Sequence, residues 1–444
     1  MNYQEAIDYL YSALPIFSRT GAKALKIDLT NTRLICAHLG HPERKFRTVH
    51  IAGTNGKGSV TNMLAAIFQE HGYKTGLYTS PHLYDFRERI RINGKMVPKH
   101  FVTRFVKHNQ EFAAEVHPSF FELTFGMALD YFAMEQVDIA IIETGLGGRL
   151  DSTNVIIPEL SVITNIGWDH TDVLGDTLSK IAFEKAGIIK PHIPVVIGES
   201  HPETAHVFLE VAKERNSDIY FADKLLRVVH HEMKGRYLCT RVETVATGKR
   251  QWYQTDLIGD YQIKNLLTVL QSVQLLKKKF HLNSGKTAAA LAKVTKLTGL
   301  TGRWQVIFQK PKVVLDVGHN REGIKEILHQ LSYLHFRKLF IVTGMVKDKD
   351  HDAVLSLYPR DAIYFFCQAP IPRGMPSKEL ALLAGTYSLK GKHYAKVQSG
   401  VEAACKKAGT DDLILVCGSV YIVAEVDISG TKKLLSGLHH NSPK

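Results

Sequence analysis

Continuous apolar runs that end in a polar or glycine-rich turn set the rhythm of the chain. Val49–Ala52 runs into GTNGKGS, and Lys74–Thr79 into Ser80-Pro81-His82; Val137–Glu143 (VDIAIIE) closes on a carboxylate, and Leu160–Ile166 is followed by Asp169-His170-Thr171. Runs of this kind predict strands buried on both faces in a parallel sheet. Between them the period changes to that of helices. Ile7, Leu10, Tyr11 and Leu14 share one helical face, Arg33, Leu34, Ala37 and Leu39 mark a second short helix, and Val60, Leu64, Ile67 and Phe68 follow the glycine turn. Residues 101–136 predict two helices, the second opening at Ser119, and Gly259–Lys279 predicts one long helix. Arg87, Arg89 and Arg91 alternate with Glu88, Ile90 and Ile92, the pattern of a half-buried strand. After the strand Val195–Gly198, residues 217–258 read as alternating strands and loops.

A glycine-punctuated stretch, LTGLTGR at 297–303, separates this region from a second alternation. Lys312–Val317, a helix from Arg321, Lys338–Thr343, Ala362–Cys367, a helix from Ser377 and Leu413–Cys417 predict another α/β domain with a mostly parallel sheet. The expected organisation is a domain over 1–296, a linker over 297–303 and a smaller domain over 304–444.

Composition narrows the class. A chain of 444 residues suits two or three domains, and 45% hydrophobic with 22% charged residues is globular. No stretch approaches the roughly 18 apolar residues of a membrane span, and MNYQEAIDYLYSALP lacks a signal pattern, so a cytoplasmic protein is expected. Five widely spread cysteines without a CxxC pair fit reduced thiols. The formal charge of +13 suits either nucleic acid or anionic small molecules. Basic residues are scattered, and Lys277–Lys279, the longest run, falls where a helix C-terminus favours cations. Small anionic substrates are therefore expected, with no nucleic acid and no membrane.

The chemistry concentrates at Val49–Ser59. Gly53, Gly56 and Gly58 let backbone N–H groups converge on an anion, Lys57 adds a point charge, and the following helix presents its positive end. ATP binding follows, with Asn55, Gly56, Lys57, Gly58 and Ser59 as the contacts; a glycine turn without a ligand is the bland alternative. The usual phosphate loop has four residues between its first glycine and Gly-Lys. Here only Thr54 and Asn55 intervene, and Gly58 separates Lys57 from Ser59. Glu143, ending a buried strand on the ligand side of an open α/β sheet, is a candidate Mg²⁺ ligand. GLGGRLDSTN, Gly145–Asn154, is too glycine-rich for an element and reads as a functional loop.

GTNGKGS, TSPHL with FRERIRING, GLGGRLDSTN, DHT, EKAGI, QIKN, GRWQV and DVGHN occur here in that order. The set resembles the folylpolyglutamate synthase and dihydrofolate synthase branch of the Mur ligase superfamily, from about residue 5 to 428. The resemblance implies a P-loop, Mur-ligase-like central ATPase domain followed by a smaller Rossmann-like α/β domain. It implies an ATP-dependent carboxylate–amine ligase that adds L-glutamate to folates, and to dihydropteroate in bifunctional members, through an acyl phosphate, with the glutamate site between domains. Its metal ligands would be Ser80, Glu143, His170 and a carbamylated Lys185, holding two Mg²⁺ ions. Asn265 would read adenine, Arg303 reach the phosphates, Asp316 contact the nucleotide and His319 lie beside it. Asp28, Leu29, Thr30, Phe121, Leu150, Asp151 and Ser152 would face the folate. Lys57, Lys185 and His319 would carry catalysis in a monomer.

Simpler readings stand beside these. Asp28, Thr30 or Asn265 could be helix caps, Phe121 core, His170 structural and Lys185 a surface helix lysine. Thr30 replaces a glycine of the related segment Lys26–Thr30, which bears on dihydropteroate use. A peptidoglycan-type Mur ligase would commonly carry a UDP-binding domain before the loop, where 52 residues precede Gly53 here. An ATP-dependent nucleic-acid-binding protein would use the charge. Neither accounts for the DSTN loop.

Overall fold

The computed structural model describes residues 1–16, 21, 28–347 and 350–440. Lys26 and Ile27 of the segment before Asp28, and Asp348 and Lys349, lie outside the described residues. The chain divides into two compact units, Met1–Leu300 and Thr301–Lys444.

The first unit is built on eight strands: β1 Arg47–Ala52, β2 Thr75–Tyr78, β3 Ile90–Ile92, β4 Lys95–Met96, β5 Ile139–Glu143, β6 Leu160–Ile163, β7 Val195–Ile197 and β8 Ile219–Phe221. Their order across the sheet is β4-β3-β2-β5-β1-β6-β7-β8. From β2 to β8 every pairing is parallel, and β3 and β4 add an antiparallel edge. Ile51 pairs with Glu143 and Ala52 with Ile163, so β1, β5 and β6 end on one rim. The chain leaves β1 towards β2 on one side and later returns to β6 on the other. That reversal creates the crevice in which open α/β sheets bind ligands.

Alternate residues of each strand face opposite layers. Val49, Ile51, Leu77 and Ile141 pack with Val60, Leu64, Ile67 and Phe68 of the helix Lys57–Glu70 and with Val269 of the helix Gln262–Leu276. Tyr78, Ala140 and Ile142 face the helices Lys99–Val116 and Phe120–Met134 instead. Each fully buried Val, Leu, Ile or Phe side chain among these contributes roughly 1.5–3 kcal/mol. Phe120–Met134 starts where it does because of a capping box: Ser119 Oγ accepts from the Glu122 amide at 3.2 Å, and the Glu122 carboxylate accepts from the Ser119 amide at 2.6 Å. A separate antiparallel sheet, β9 Leu226–Lys234, β10 Tyr237–Thr244 and β11 Lys249–Thr255, fills the region expected to alternate strands and loops.

The second unit carries β12 Gln305–Gln309, β13 Lys312–Leu315, β14 Leu339–Thr343, β15 Ile363–Cys367, β16 Gly391–Tyr394 and β17 Leu413–Cys417, in the order β12-β13-β17-β14-β15-β16. All pairings are parallel except β12 with β13. No described helix in either unit is long and apolar enough to cross a membrane.

One expected strand is mostly not a strand. Phe86–Arg89 is a 3-10 turn, and only Ile90–Ile92 joins the sheet. Asp85 accepts from the Arg87 amide, and the Glu88 carboxylate collects the amides of Leu83, Tyr84 and Asp85, each at 2.9 Å. Those local bonds replace the ladder that alternation alone would suggest. The expected helix Gly259–Lys279 is likewise shorter, so Lys277–Lys279 lie just past its end, where Lys279 pairs with Glu159.

Candidate active site

The phosphate loop crosses from β1 to the helix Lys57–Glu70 through two left-handed glycines, Gly53 at φ +147° and Gly56 at φ +83°. A Cβ on Gly53 would stand 1.8 Å from Thr164 Oγ1, and one on Gly56 2.2 Å from Asn265 Oδ1. Both positions therefore exclude side chains. The loop is riveted to the turn after β6: Thr54 N donates to Asn165 O (3.0 Å), Asn55 N to Asn165 Oδ1 (2.9 Å), and Thr164 Oγ1 to Asn55 O (2.6 Å). With the Thr54 and Asn55 amides so engaged, the amides left without an intrahelical acceptor are those of the first helical turn from Lys57.

Two lysines meet on one oxygen. Lys57 Nζ donates to Gly53 O at 2.9 Å and to Thr54 O at 3.0 Å, and Lys185 Nζ donates to the same Gly53 O at 2.9 Å. Lys185 is not a surface lysine: it is 3% exposed. Burial, reinforced by the Lys57 charge and opposed by Asp169 and Asp151, brings its ammonium down to about 7. Ser59 Oγ accepts from Gln262 Nε2 at 3.1 Å, and Gln262 Oε1 accepts from Asn265 Nδ2 at 2.8 Å. Asn265 is buried inside the helix, whose cap is Tyr261, so it is no helix cap.

Along the rim, Glu143 is buried at the end of β5, and its Oε2 accepts from the Ser80 amide at 3.3 Å. His170 adopts a left-handed conformation at φ 50° and precedes the turn Thr171–Leu174, with Nε2 3.8 Å from Asp169 Oδ1. Among the described residues no group of three His, Cys, Asp or Glu side chains could hold a metal alone. Ser80 and Glu143 offer hard oxygen donors of the kind Mg²⁺ takes in ones and twos, with water and phosphate completing the shell. The residues present fit that ion in that partial sense.

The loop Gly145–Asn154 folds on itself. Asp151 is buried; its Oδ1 accepts from Thr153 N (3.0 Å) and Thr153 Oγ1 (2.5 Å), and its Oδ2 from Leu146 N (2.8 Å). Burial raises its carboxyl above the usual range, against these hydrogen bonds. Phe121 packs on the loop's start, where a Cβ on Gly145 would lie 2.6 Å from its ring, and its centroid is 5.9 Å from that of Tyr78. Leu150 and Ser152 are half-buried on the same loop. Asp28 accepts from the Thr30 amide at 2.7 Å just ahead of the helix Thr30–His38, but the N-cap is Leu29, without a side-chain cap bond, so neither Asp28 nor Thr30 is the cap.

In the second unit Asp316 is buried and braces the segment before β12: Oδ2 accepts from Trp304 N (2.8 Å) and Oδ1 from Gly318 N (2.9 Å). Arg303 Nη1 donates to Gly302 O at 3.2 Å, and His319 Nδ1 lies 3.1 Å from Val317 O.

Known proteins resemble this chain in sequence and fold. Residues 51–273 match the Mur ligase middle domain and residues 302–420 the Mur ligase glutamate ligase domain. A Lacticaseibacillus casei folylpolyglutamate synthase is 31% identical over 438 residues, spanning 96% of this chain and 98% of that protein. A Bacillus subtilis dihydrofolate synthase/folylpolyglutamate synthase is 30% identical, spanning 96% and 98%. The chain belongs to the folylpolyglutamate/dihydrofolate synthase family of Mur ligases. It also aligns at 31% identity with a probable bifunctional folylpolyglutamate synthase/dihydropteroate synthase of Haloferax volcanii, spanning 99% of this chain but about half, 52%, of that longer protein. Among solved structures, E. coli FolC in complex with DHPP and ADP superposes with a TM-score of 0.84 at 26% identity, over 98% of this chain and 99% of that one. A bifunctional Yersinia pestis synthase complexed with AMPPNP and a Mn ion gives 0.81 at 25%, over 99% and 98%.

Family membership leaves some of this member's site residues outside the motifs. Thr164 and Asn165, outside every motif, hold the phosphate loop; Gln262 and Thr153 lie inside QIKN and DSTN, but neither was singled out, although Gln262 donates to Ser59 and Thr153 holds Asp151. His50 did carry a signal, a polar residue inside the apolar run VHIA. In the structure it is fully buried beneath the DSTN loop, its Nε2 2.8 Å from Thr153 Oγ1.

Proposed function

We propose that this chain is an ATP-dependent ligase that adds L-glutamate to folates, and that it also accepts dihydropteroate. The observation that carries the mechanism is the convergence of Lys57 and Lys185 on Gly53 O at the head of the phosphate loop. The Lys57 ammonium there favours anions that otherwise repel, a carboxylate and the γ-phosphate, while Lys185 beside it has a separate role. A carboxylate oxygen of the acceptor attacks the γ-phosphorus, and the bond to ADP breaks. The glutamate amine then attacks the acyl carbon, loses a proton and expels phosphate. Lys57 and the first-turn amides from Gly56 to Ser59 hold the phosphates, and Asn55 shapes the loop. Asn265 borders the base side of that loop. Arg303, Asp316 and His319 are given a nucleotide role by their resemblance to the family's motifs alone.

Ser80, Glu143 and His170 would hold Mg²⁺, two ions in this reading, and the bound ion would supply polarisation of phosphoryl oxygens. With its ammonium brought down to about 7, Lys185 is in large part a neutral amine near neutral pH. Its nitrogen can bond the carbon of CO₂ and release a proton, becoming a carbamate that offers oxygen donors to the metal. Asp28, Leu29, Thr30, Phe121, Leu150, Asp151 and Ser152 form the acceptor site. Its partners are small molecules, met as a monomer in the cytoplasm.

The test is ADP release with Mg-ATP and L-glutamate, comparing dihydropteroate, a reduced monoglutamyl folate and no acceptor. Release with both acceptors is expected. Release with the folate alone removes dihydropteroate use, and release with neither overturns the assignment.

A further inference from the structure

The acceptor loop is held from beneath. Thr153 Oγ1 has one proton, and its 2.5 Å bond to Asp151 Oδ1 takes it, because a carboxylate accepting from the amides of Thr153 and Leu146 is itself an acceptor. The 2.8 Å contact from His50 must then be donated by the imidazole, which places its hydrogen on Nε2. His50 Nδ1 is left as a buried acceptor with no partner. Burial and the nearby Lys190 ammonium keep the ring neutral, well below the ordinary histidine range. A relay therefore runs from the middle of β1 through a hydroxyl to the carboxylate of the acceptor loop.

His50 sits in register with Ile142 of β5, which is in register with Tyr78 of β2, so the three share one row and one face of the sheet. Tyr78 meets Phe121, and Phe121 meets Gly145 at the start of the loop. Asp151 lies close enough to act on the Tyr78 hydroxyl electrostatically. The loop is thus fastened at one end by a tilted aromatic pair and at the other by His50. Lys190 Nζ adds a bond to Asn154 O at 2.7 Å.

We infer that His50 is a positioning residue for the acceptor: through Thr153 it fixes the rotamer of Asp151 and the course of the DSTN loop, and so sets acceptor affinity without touching nucleotide. The inference rests on the reading of this loop as the acceptor site. A residue of β1 three positions before Gly53 would by proximity be assigned to ATP. The hydrogen bonds assign it to the other substrate.

The experiment compares His50→Leu, His50→Gln, Thr153→Val and the His50→Leu/Thr153→Val double variant in the full chain. Amide hydrogen exchange at Leu146 and Thr153 is read beside exchange in the helix Lys57–Glu70, together with KM for the folate acceptor and for ATP. Expected for His50→Leu are faster exchange at Leu146 and Thr153 only, an acceptor KM raised about tenfold, as loss of one buried hydrogen bond implies, and an unchanged ATP KM. Thr153→Val should match it and the double variant should be no worse than either. His50→Gln, which keeps a donor, should restore most of the acceptor KM. Unchanged exchange at Leu146 and Thr153, loosening throughout the unit, an equal rise in both KM values, or additive losses in the double variant would each overturn the inference. If His50→Leu does not fold, Thr153→Val and His50→Gln carry the same comparison. An unmodified chain inactive with every acceptor would remove the functional reading alone, because exchange still decides the relay.

Discussion

Replacing Lys185 by methionine should make the protein more stable and inactive at once. An ordinary lysine titrates near 10.5, and burial brings Lys185 down to about 7. At pH 7.4 such a group is about 70% neutral, whereas an unperturbed lysine is about 0.1% neutral, so the reactive amine is enriched several hundredfold. The same difference costs the folded state roughly 4 kcal/mol at that pH. A base whose folded pKa lies below its unfolded one binds fewer protons when folded. The penalty is absent above about pH 10.5, grows as pH falls towards 7 and is constant below. The Lys185→Met substitution would remove it while filling similar volume, and Gly53 O would keep its bond from Lys57. Urea unfolding in CO₂-free buffer should then show Lys185→Met more stable by about 2–4 kcal/mol at pH 7.4, after the lost hydrogen bond is allowed for, with the gap closing by about pH 10. Equal or lower stability, or a gap that ignores pH, would refute the reasoning. In the same series, added acetate or another small acid should restore turnover to Lys185→Ala, and failure of every such acid would remove the carbamate.

Lys57→Ala should abolish ATP turnover with the circular dichroism spectrum and unfolding midpoint retained; normal activity would remove the phosphate-loop argument. Gly56→Ala should weaken nucleotide binding because its Cβ would meet Asn265 Oδ1 at 2.2 Å. Adding Asn265→Ala should recover only part of the lost fold stability, read as the urea midpoint, because the strain at φ +83° remains, and should not recover ATP affinity, read by titration calorimetry. Ser119→Ala should destabilise the first unit by about 1 kcal/mol through loss of the capping box, read as a shifted urea midpoint with acceptor KM nearly unchanged.

Parallel strands were legible because burial on both faces leaves no polar positions: Ile139–Ile142 is apolar throughout, and its one carboxylate marks the rim. The phosphate loop was legible because glycine is needed wherever φ is positive or a neighbour approaches. Gln305–Gln309 was missed since an edge strand with polar ends has no such run. The site's long-range pairings were illegible for a different reason. Lys185 and Gly53 are 132 positions apart, His50 and Thr153 are 103 apart, and nothing local requires either partner. Family motifs named Lys185 and Asp151, but only the fold shows that one is buried against the phosphate loop and the other braces its own turn.

The way Gly187 meets Arg149 bears on how this enzyme can change over generations. A Cβ on Gly187 would lie 2.3 Å from the Arg149 backbone, and one on Gly148 2.9 Å from Glu184 O. Arg149 N donates to Glu184 O at 2.7 Å, closing the seam. The segment that carries Lys185 and the DSTN loop are thus mated surfaces, fitted to one another at the limit of atomic contact. Neither can be exchanged alone: a loop borrowed from a relative with a different acceptor would need its companion segment 183–188 as well. A change on one face of the seam should therefore need a matching change on the other.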